Sequence, residues 1–526
     1  MTDQAKNTPP ETARPFPQNA EAESSDLGHE RQVYTLRESA ELTPEVIAVA
    51  FAKCSRSPDS FRKIASEITA EKSAEFHEKW VVGYGHASVA EHATLHVAFE
   101  NVSTVATKII EDCRLASYTE KSTRYQVYDR NRYYKPRAIM ESRFGDAYVK
   151  TMGALFDAYL AFLPVMTEHM EKKYPKAPEM KDSLYRSVTK ARACDVIRYL
   201  LPAATLTNFG MTANARIFEW AITKFFSHPL HEMQEIAAEL KRTTLEVTPT
   251  LVKYADPNAY LQETPPALAE LHREFTKDFP QIDPVRGRLP DTVGTATTAM
   301  GRSASNGIDP QEPVRIVEYD QQAETKLVAA LLYRAGHYPY DQIRERVEVM
   351  TQEEKARVID EALRRRSPHD QPLREFEHVY YTFDILMDYG AFRDVQRHRM
   401  ATQTNQDITT LHGYDIPPEV GEAGKETEFR DAMNRADELY RAMLPELPRE
   451  AQYCVPMAFR KRVLVTWNLR ELHNFIPLRS GKKGHPSYRR IAQLCYHKLA
   501  EIHPLLAKYV RVDLSEGSVS TTGSKV

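Results

Sequence analysis

Cysteine is scarce in this 526-residue chain: five residues, at positions 54, 113, 194, 454 and 495, with no C-x-x-C pair among them. An odd, scattered set excludes a disulfide framework or a thiolate zinc site and predicts reduced thiols in a cytoplasm. Long hydrophobic runs are also missing. No stretch of about 18 apolar residues occurs, so no membrane-spanning helix and no membrane partner are expected. The opening MTDQAKNTPPETARPFPQ lacks the apolar centre of a secretory leader. Strong charge of either sign is absent too, the formal net charge being -3. That argues against nucleic acid as the main partner, because phosphate tracking needs a basic surface. It leaves room for a small anionic ligand held by a few arginines. What is present, 42% hydrophobic and 27% charged residues, is the balance of a folded globular protein long enough for more than one domain.

Residues 1–30 are polar, acidic and Pro-rich and read as a disordered tail. Residues 512–526 end in a Ser/Thr/Gly-rich stretch and read as a flexible one. Between them, 256–312 reads as a linker whose second part, LPDTVGTATTAMGRSASNGIDPQEP, has no periodicity. It separates a module at 31–255 from another at 313–511. Within each module short β-rich runs (HATLHVAFENV, HVYYTFDIL) precede helical stretches (STVATKIIEDC, YGAFRDVQRH). Longer helices are expected over 147–174, 213–226 and 428–443. The fold class is therefore α+β.

The two modules repeat each other. Glu91-His92 recurs as Glu377-His378 and Arg114 as Arg399. Pro202, Asn214 and Arg216 recur as Pro456, Asn468 and Arg470 at one constant separation. The order is the same in both halves. One motif appears twice with complementary losses. The first copy, Asp112-Cys113-Arg114 followed by Glu120-Lys-Ser122-Thr-Arg124-Tyr125, keeps S-x-R-Y without a leading Arg-His. The second, Arg397-His398-Arg399 followed by Asp407-Ile-Thr409-Thr, keeps R-H-R without S-x-R-Y.

Each piece has a plain reading. R-H-R suits a helix C-terminus, where cations complement the helix dipole, and Glu120 to Tyr125 suits a polar loop. The alternative for the loop is a phosphate cradle, with hydroxyl and N–H donors from Ser122 and a bidentate grip from Arg124. Arg198-Tyr-Leu-Leu-Pro202 adds a third arginine, where the second half has Gln452. In Asn468-Leu-Arg470-Glu-Leu-His-Asn474-Phe-Ile-Pro-Leu-Arg479, Arg470 and Asn474 share a helix face. Pro477 is expected to disturb that helix just before Arg479. The first half repeats only Asn214-Ala-Arg216, with Trp220 and Phe225 at the later positions. Gly85-His86-Ala-Ser88-Val-Ala-Glu91-His92 reads as a turn before a strand. His92 and His96 would then share one strand face, too far apart for zinc, so no metal site is assigned.

Together these motifs resemble the signature of the flavin-dependent thymidylate synthases, over most of 32–250 and 313–500. The resemblance implies two tandem copies of that family's fold, helices around a small twisted sheet. Family members are homotetramers, so it implies a homodimer forming a pseudo-tetramer. It implies substrate-binding roles toward dUMP for Glu120, Ser122, Arg124 and Arg198. FAD-binding roles fall to Arg397, His398, Arg399, Asn468, Arg470, Asn474 and Ser88, and catalytic roles to Arg479 and Arg397. The implied reaction is reductive methylation of dUMP to dTMP, with NADPH and methylenetetrahydrofolate as co-substrates, in an active site shared between the halves. The family's Gln before R-H-R is Asp394 here. The alternative is a catalytically inactive flavin- or nucleotide-binding paralogue acting as a sensor or assembly protein.

Overall fold

The computed structural model describes residues 34, 36, 38–39, 41–55, 57–83, 87–279 and 311–515. The expected tail at 1–30, the second part of the linker up to residue 310 and the last residues of the C-terminal tail lie outside them. The first part of the linker is helical, Ala259–Phe275, and buries none of its residues.

Two antiparallel sheets form the frame. The first has the order β1-β3-β2, from β1 (Thr94–Ser103), β2 (Ser117–Glu120) and β3 (Leu206–Asn214). The second has the order β4-β5-β7-β6, from β4 (Val314–Tyr319), β5 (Tyr380–Asp388), β6 (Ala401–Asn405) and β7 (Arg460–Asn468). The registers repeat: Leu95 faces Ala213 as Tyr381 faces Trp467, and Ser117 faces Thr212 as Thr402 faces Thr466. At the far ends Ser103 faces Leu206 as Asp388 faces Arg460. β1 takes one residue more than β5 to cover this span. The extra residue is a bulge between Phe99 and Val102, with Asn101 at φ 56. Asparagine is among the few residues that accept that conformation readily.

The helices repeat as well. Ser103 caps α1 (Thr104–Ile110) through Ala106 N, and Asp388 caps the later helix Tyr389–Val395 through Ala391 N. Asn214 and Asn468 cap helices Ala215–Phe226 and Leu469–Ser480 in the same way. These caps satisfy N–H groups the helices cannot. The pairs Arg216–Glu91 and Arg470–Glu377 also match. The capping residues carry a swap. In the first half the hydroxyl of Ser103 donates to Glu232, which also accepts from Tyr453. In the second Asp388 is the carboxylate and Ser487 the hydroxyl, with Tyr199 beside both.

Between the halves the backbone pairs reciprocally. Pro202 and Pro456 face each other in an antiparallel bridge. Ala203 N donates to Val455 O at 2.9 Å and Met457 N to Leu201 O at 3.0 Å. Ala204 N donates to Tyr453 O and Ala458 N to Tyr199 O. Equivalent segments on both sides of one contact are the mark of an isologous interface. One contiguous apolar core runs through both halves. Among the described residues one helix, Gly145–Lys173, is by length and composition apolar enough to cross a membrane. It lies in that core, burying Tyr148, Met152, Phe156, Tyr159 and Met166. Scattered charges such as Lys150 and Asp157 hide the run in the sequence.

Three local expectations are corrected. β3 extends to Asn214, so its helix begins at Ala215 and not at 213. His92 belongs to a helical turn, Val89–His92, stacked on Phe51, and not to the strand. The helix carrying Arg479 continues through Pro477 to Ser480, because Phe475 and Ile476 are buried and Phe475 stacks on Trp467 at 4.5 Å. Packing here outweighs the lost N–H donor.

Candidate functional site

β2 ends at Glu120, whose side chain is fully buried. It accepts from Arg393 at 2.5 Å and Lys108 at 3.3 Å, and Arg397 stands 3.6 Å away. Burial alone would raise its pKa; Arg393, Lys108 and Arg397 outweigh it and hold it at about 2. Lys108 comes from the first half and both arginines from the second, so R-H-R and the E-x-S-x-R segment meet within one chain. Beyond Glu120 the loop turns back on itself, Ser122 Oγ accepting from Arg124 N at 3.2 Å. The Arg124 guanidinium is held bidentately by Asp195, at 2.7 and 2.8 Å.

Arg198 follows the helix Asp182–Ile197 and is 3% exposed, yet its Nε and Nη2 have no hydrogen-bond partner among the described residues. It lies against the start of the helix Tyr389–Val395: a Cβ at Gly390 would stand 3.5 Å from its Nη2, an ordinary contact, and 3.0 Å from Asp388 Oδ1, a tight one. His485 is buried, accepts from Ser487 N at Nδ1 and donates from Nε2 to the carbonyl of Asp195 at 3.2 Å. Burial, then Arg198 and Arg124, push its pKa well below the usual value, so it is neutral beside both arginines.

Arg479 donates from Nε to His398 Nε2 at 2.9 Å and from Nη1 to Asp394 at 3.3 Å. Its guanidinium lies 5.3 Å from the centre of the Tyr488 ring. His398 Nδ1 is 2.8 Å from Glu471. Because Nε2 receives a hydrogen bond, the proton sits on Nδ1 and is donated to Glu471. Burial, first of all, lowers the His398 pKa, in keeping with a neutral ring. Glu471 also accepts from Asn474 at 3.4 Å.

The other expected residues stand further out. Asn468 is spent on its helix cap, and Arg470 bonds Pro372 O and Glu377. Arg399 turns toward the first half, donating to Ala116 O and stacking over Tyr118. Arg114 answers with a bond to Thr402. Ser88 is exposed and lies with Phe51, Trp80 and His92 in a first-half hollow whose lining includes neither Asn474 nor His398. The missing Gln is a smaller matter, since Asp394 faces Arg479 and not the arginines of the cradle.

Sequence reasoning missed Asp195, Tyr488, His485, Lys108, Arg393 and Glu471. Two signals were available. Asp195 lies one helical turn before Arg198, and Lys108 falls opposite Arg393 when the repeats are aligned.

The decayed counterparts close on themselves. Gln452, where Arg198 would be, accepts from Ile408 N and donates to Arg449 O. Lys224 is tied to Asp112, Arg449 reaches Asp407 at 3.9 Å, and Phe225 is fully buried. A cation with free donors stands in one place and a satisfied amide in the other.

A family model described as thymidylate synthase complementing protein matches residues 36–250 and 315–505. A UPF0159 protein of Chlamydia pneumoniae is 33% identical over 459 residues, covering 86% of this chain and 83% of that one. A UPF0159 protein of Thermoplasma acidophilum is 30% identical over 476 residues, covering 84% and 89%. A flavin-dependent thymidylate synthase of Clostridium tetani is 28% identical over 221 residues, 41% of this chain and 83% of that one. Among solved structures, a flavin-dependent thymidylate synthase of Helicobacter pylori complexed with FAD and dUMP is 19% identical. It covers 38% of this chain and 99% of that one, with a TM-score of 0.28.

Proposed function

Since the chain belongs to the thymidylate synthase complementing protein family, matched once in each half, we propose that it is a flavin-dependent thymidylate synthase converting dUMP to dTMP. One site per chain is shared by the halves. Its co-substrates are methylenetetrahydrofolate and NADPH, and it works in the cytoplasm as a homodimer. The modules are 31–255 and 313–511, joined by the linker 256–312.

The observation that carries this reading is Arg198, buried with two free guanidinium nitrogens beside the neutral His485 that also borders Arg124. A buried cation with unmet donors calls for an anion, and the dUMP phosphate supplies one. Ser122 and Arg124 complete the cradle; Arg124 shares its fork with Asp195, which keeps it aimed when the site is empty of substrate. Arg479 stands next to Tyr488, where the pyrimidine ring would lie. Its charge, fixed by His398 and Asp394, favours an electron-rich ring and so a nucleophilic C5. FAD fits the excess of cations around Glu120, with Arg397 half exposed and Arg399 Nε without a partner among the described residues. When bound and reduced it would supply the hydride. His398 and Asn474, both anchored on Glu471, would hold its ring, and Ser88 and Arg470 belong to its outer reach.

Purified chain is expected to release tritium from 5-tritiated dUMP with FAD, NADPH and methylenetetrahydrofolate present, and to form dTMP in equal amount. Flavin bound without tritium release would overturn the synthase and leave the sensor or assembly role.

A further inference from the structure

A cavity of about 440 Å³ lies at the junction of the halves, and neither Arg124, Arg198 nor Arg479 lines it. The first half contributes Val196 and Tyr199, the second Met387, Asp388, Asp415 and Ile491. Its walls are mostly apolar, and the size suits a small-molecule site. Asp195 forms part of the wall while its carboxylate grips Arg124, so the cavity and the proposed nucleotide site share a partition.

The pseudo-symmetry shows why the space is open. Tyr134 and Asp415 occupy equivalent places: Tyr134 N bonds Ala204 O and Asp415 N bonds Ala458 O, each after a residue in a β-bridge. In the first half the Tyr134 ring packs on Tyr453 at 5.3 Å. In the second an aspartate replaces that ring and faces Tyr199, the counterpart of Tyr453. One copy of the junction is filled by an aromatic side chain, and the other is hollow, with Asp388 and Asp415 among its polar lining.

We propose that this cavity is a second ligand site, taking a fused-ring nitrogen heterocycle with adjacent N–H donors, the edge shared by guanine and pterin. Asp415 spends Oδ1 on Arg460, at 3.0 and 2.7 Å, and no described residue bonds its Oδ2. Asp388 accepts from Ala391 N and Ser487 Oγ, which uses part of a carboxylate's capacity of about four acceptor positions. Two carboxylates bordering one apolar slot repel each other, and a ligand that donates to them relieves the repulsion. Burial, and then Asp415, push Asp388 up to about 6, as such crowding requires. Four cations also line the wall and each is engaged, so none calls for a phosphate: Arg460 with Asp415, Lys173 with Glu419 and Glu422, Arg192 stacked at 4.0 Å over Tyr174, and Arg490 with a partner of its own.

The test is calorimetric titration of the full chain with pterin and, separately, guanosine. The expected result is one probe per chain for at least one of them. Asp415→Tyr, which restores the filling ring, abolishes binding. Asp388→Asn, which keeps the helix cap, weakens it at least tenfold without changing the melting temperature. Arg479→Ala leaves it unchanged. Which probe binds identifies the source of the heterocycle. No binding of either up to about 1 mM overturns the proposal. So does affinity untouched by Asp388→Asn, or affinity lost in Arg479→Ala, which would put the probe in the nucleotide site.

Discussion

Arg124→Ala and Arg479→Ala are each expected to lower tritium release from 5-tritiated dUMP by about 10²–10³-fold, the usual effect of deleting one electrostatic group from an active site. The two losses should differ in kind. Arg124→Ala removes a phosphate contact made in ground and transition state alike, so the KM for dUMP rises most. Arg479→Ala removes charge needed as C5 becomes nucleophilic, so kcat falls most. An equimolar mixture of the two variants, co-refolded, should be no more active than either alone. The reason is geometric. Arg124 comes from the first half and Arg479 from the second, yet Glu120, four residues before Arg124, meets Arg397 within a single chain, and Arg479 bonds His398 next to Arg397. If complete sites instead joined halves of different chains, a random mixture of dimers would recover about a quarter of wild-type activity. Recovery of that size would sink the one-chain site.

Glu120→Gln carries the largest expected effect on stability. The carboxylate faces Arg393, Lys108 and Arg397, and a second buried carboxylate, Glu111, meets Lys108 alone of the three among the described residues. Removing it leaves buried positive charge unbalanced, a loss of about 3–5 kcal/mol for such a partner. The sign with pH follows from the depressed pKa. An unfolded glutamate titrates at about 4.3, and the folded one at about 2. Its contribution is therefore fully present above the unfolded value and lost as pH falls through the folded one. Urea denaturation of the wild type between pH 5 and 2 should show that loss, and the variant, already weaker at pH 7, should lack this leg of the curve. Equal stability of the two proteins at pH 7 would refute the account.

The repeat itself was legible because its landmarks are local. Asn214 and Asn468 read as equivalent and each caps its helix; Arg216 and Arg470 read as equivalent and each pairs with its own glutamate. The one-residue slip between landmarks was visible as well, but its cause was not, since a bulge at Asn101 is set by what β1 faces across the sheet. The candidate residues were legible as types in a pattern, while their partners were not. Asp195 holds Arg124, and Glu471 holds His398, through contacts joining segments far apart in the chain. No periodicity announces such a contact. Pro477 misled for a related reason: local propensity argued for a break, and burial of Phe475 and Ile476 overrode it.

The reciprocal backbone pairing around Pro202 and Pro456 has a consequence for how this chain could evolve. A free subunit in a symmetric assembly plays every role at once, so a residue lost from one role is lost from all. Once two copies share a polypeptide, their encounter is unimolecular, at an effective concentration on the order of millimolar, and dilution no longer separates them. Each copy can then shed what its neighbour retains. After the first complementary pair of losses the path back is closed, because neither half alone can rebuild a working ancestor. Fusion turns a symmetric partnership into an irreversible division of labour.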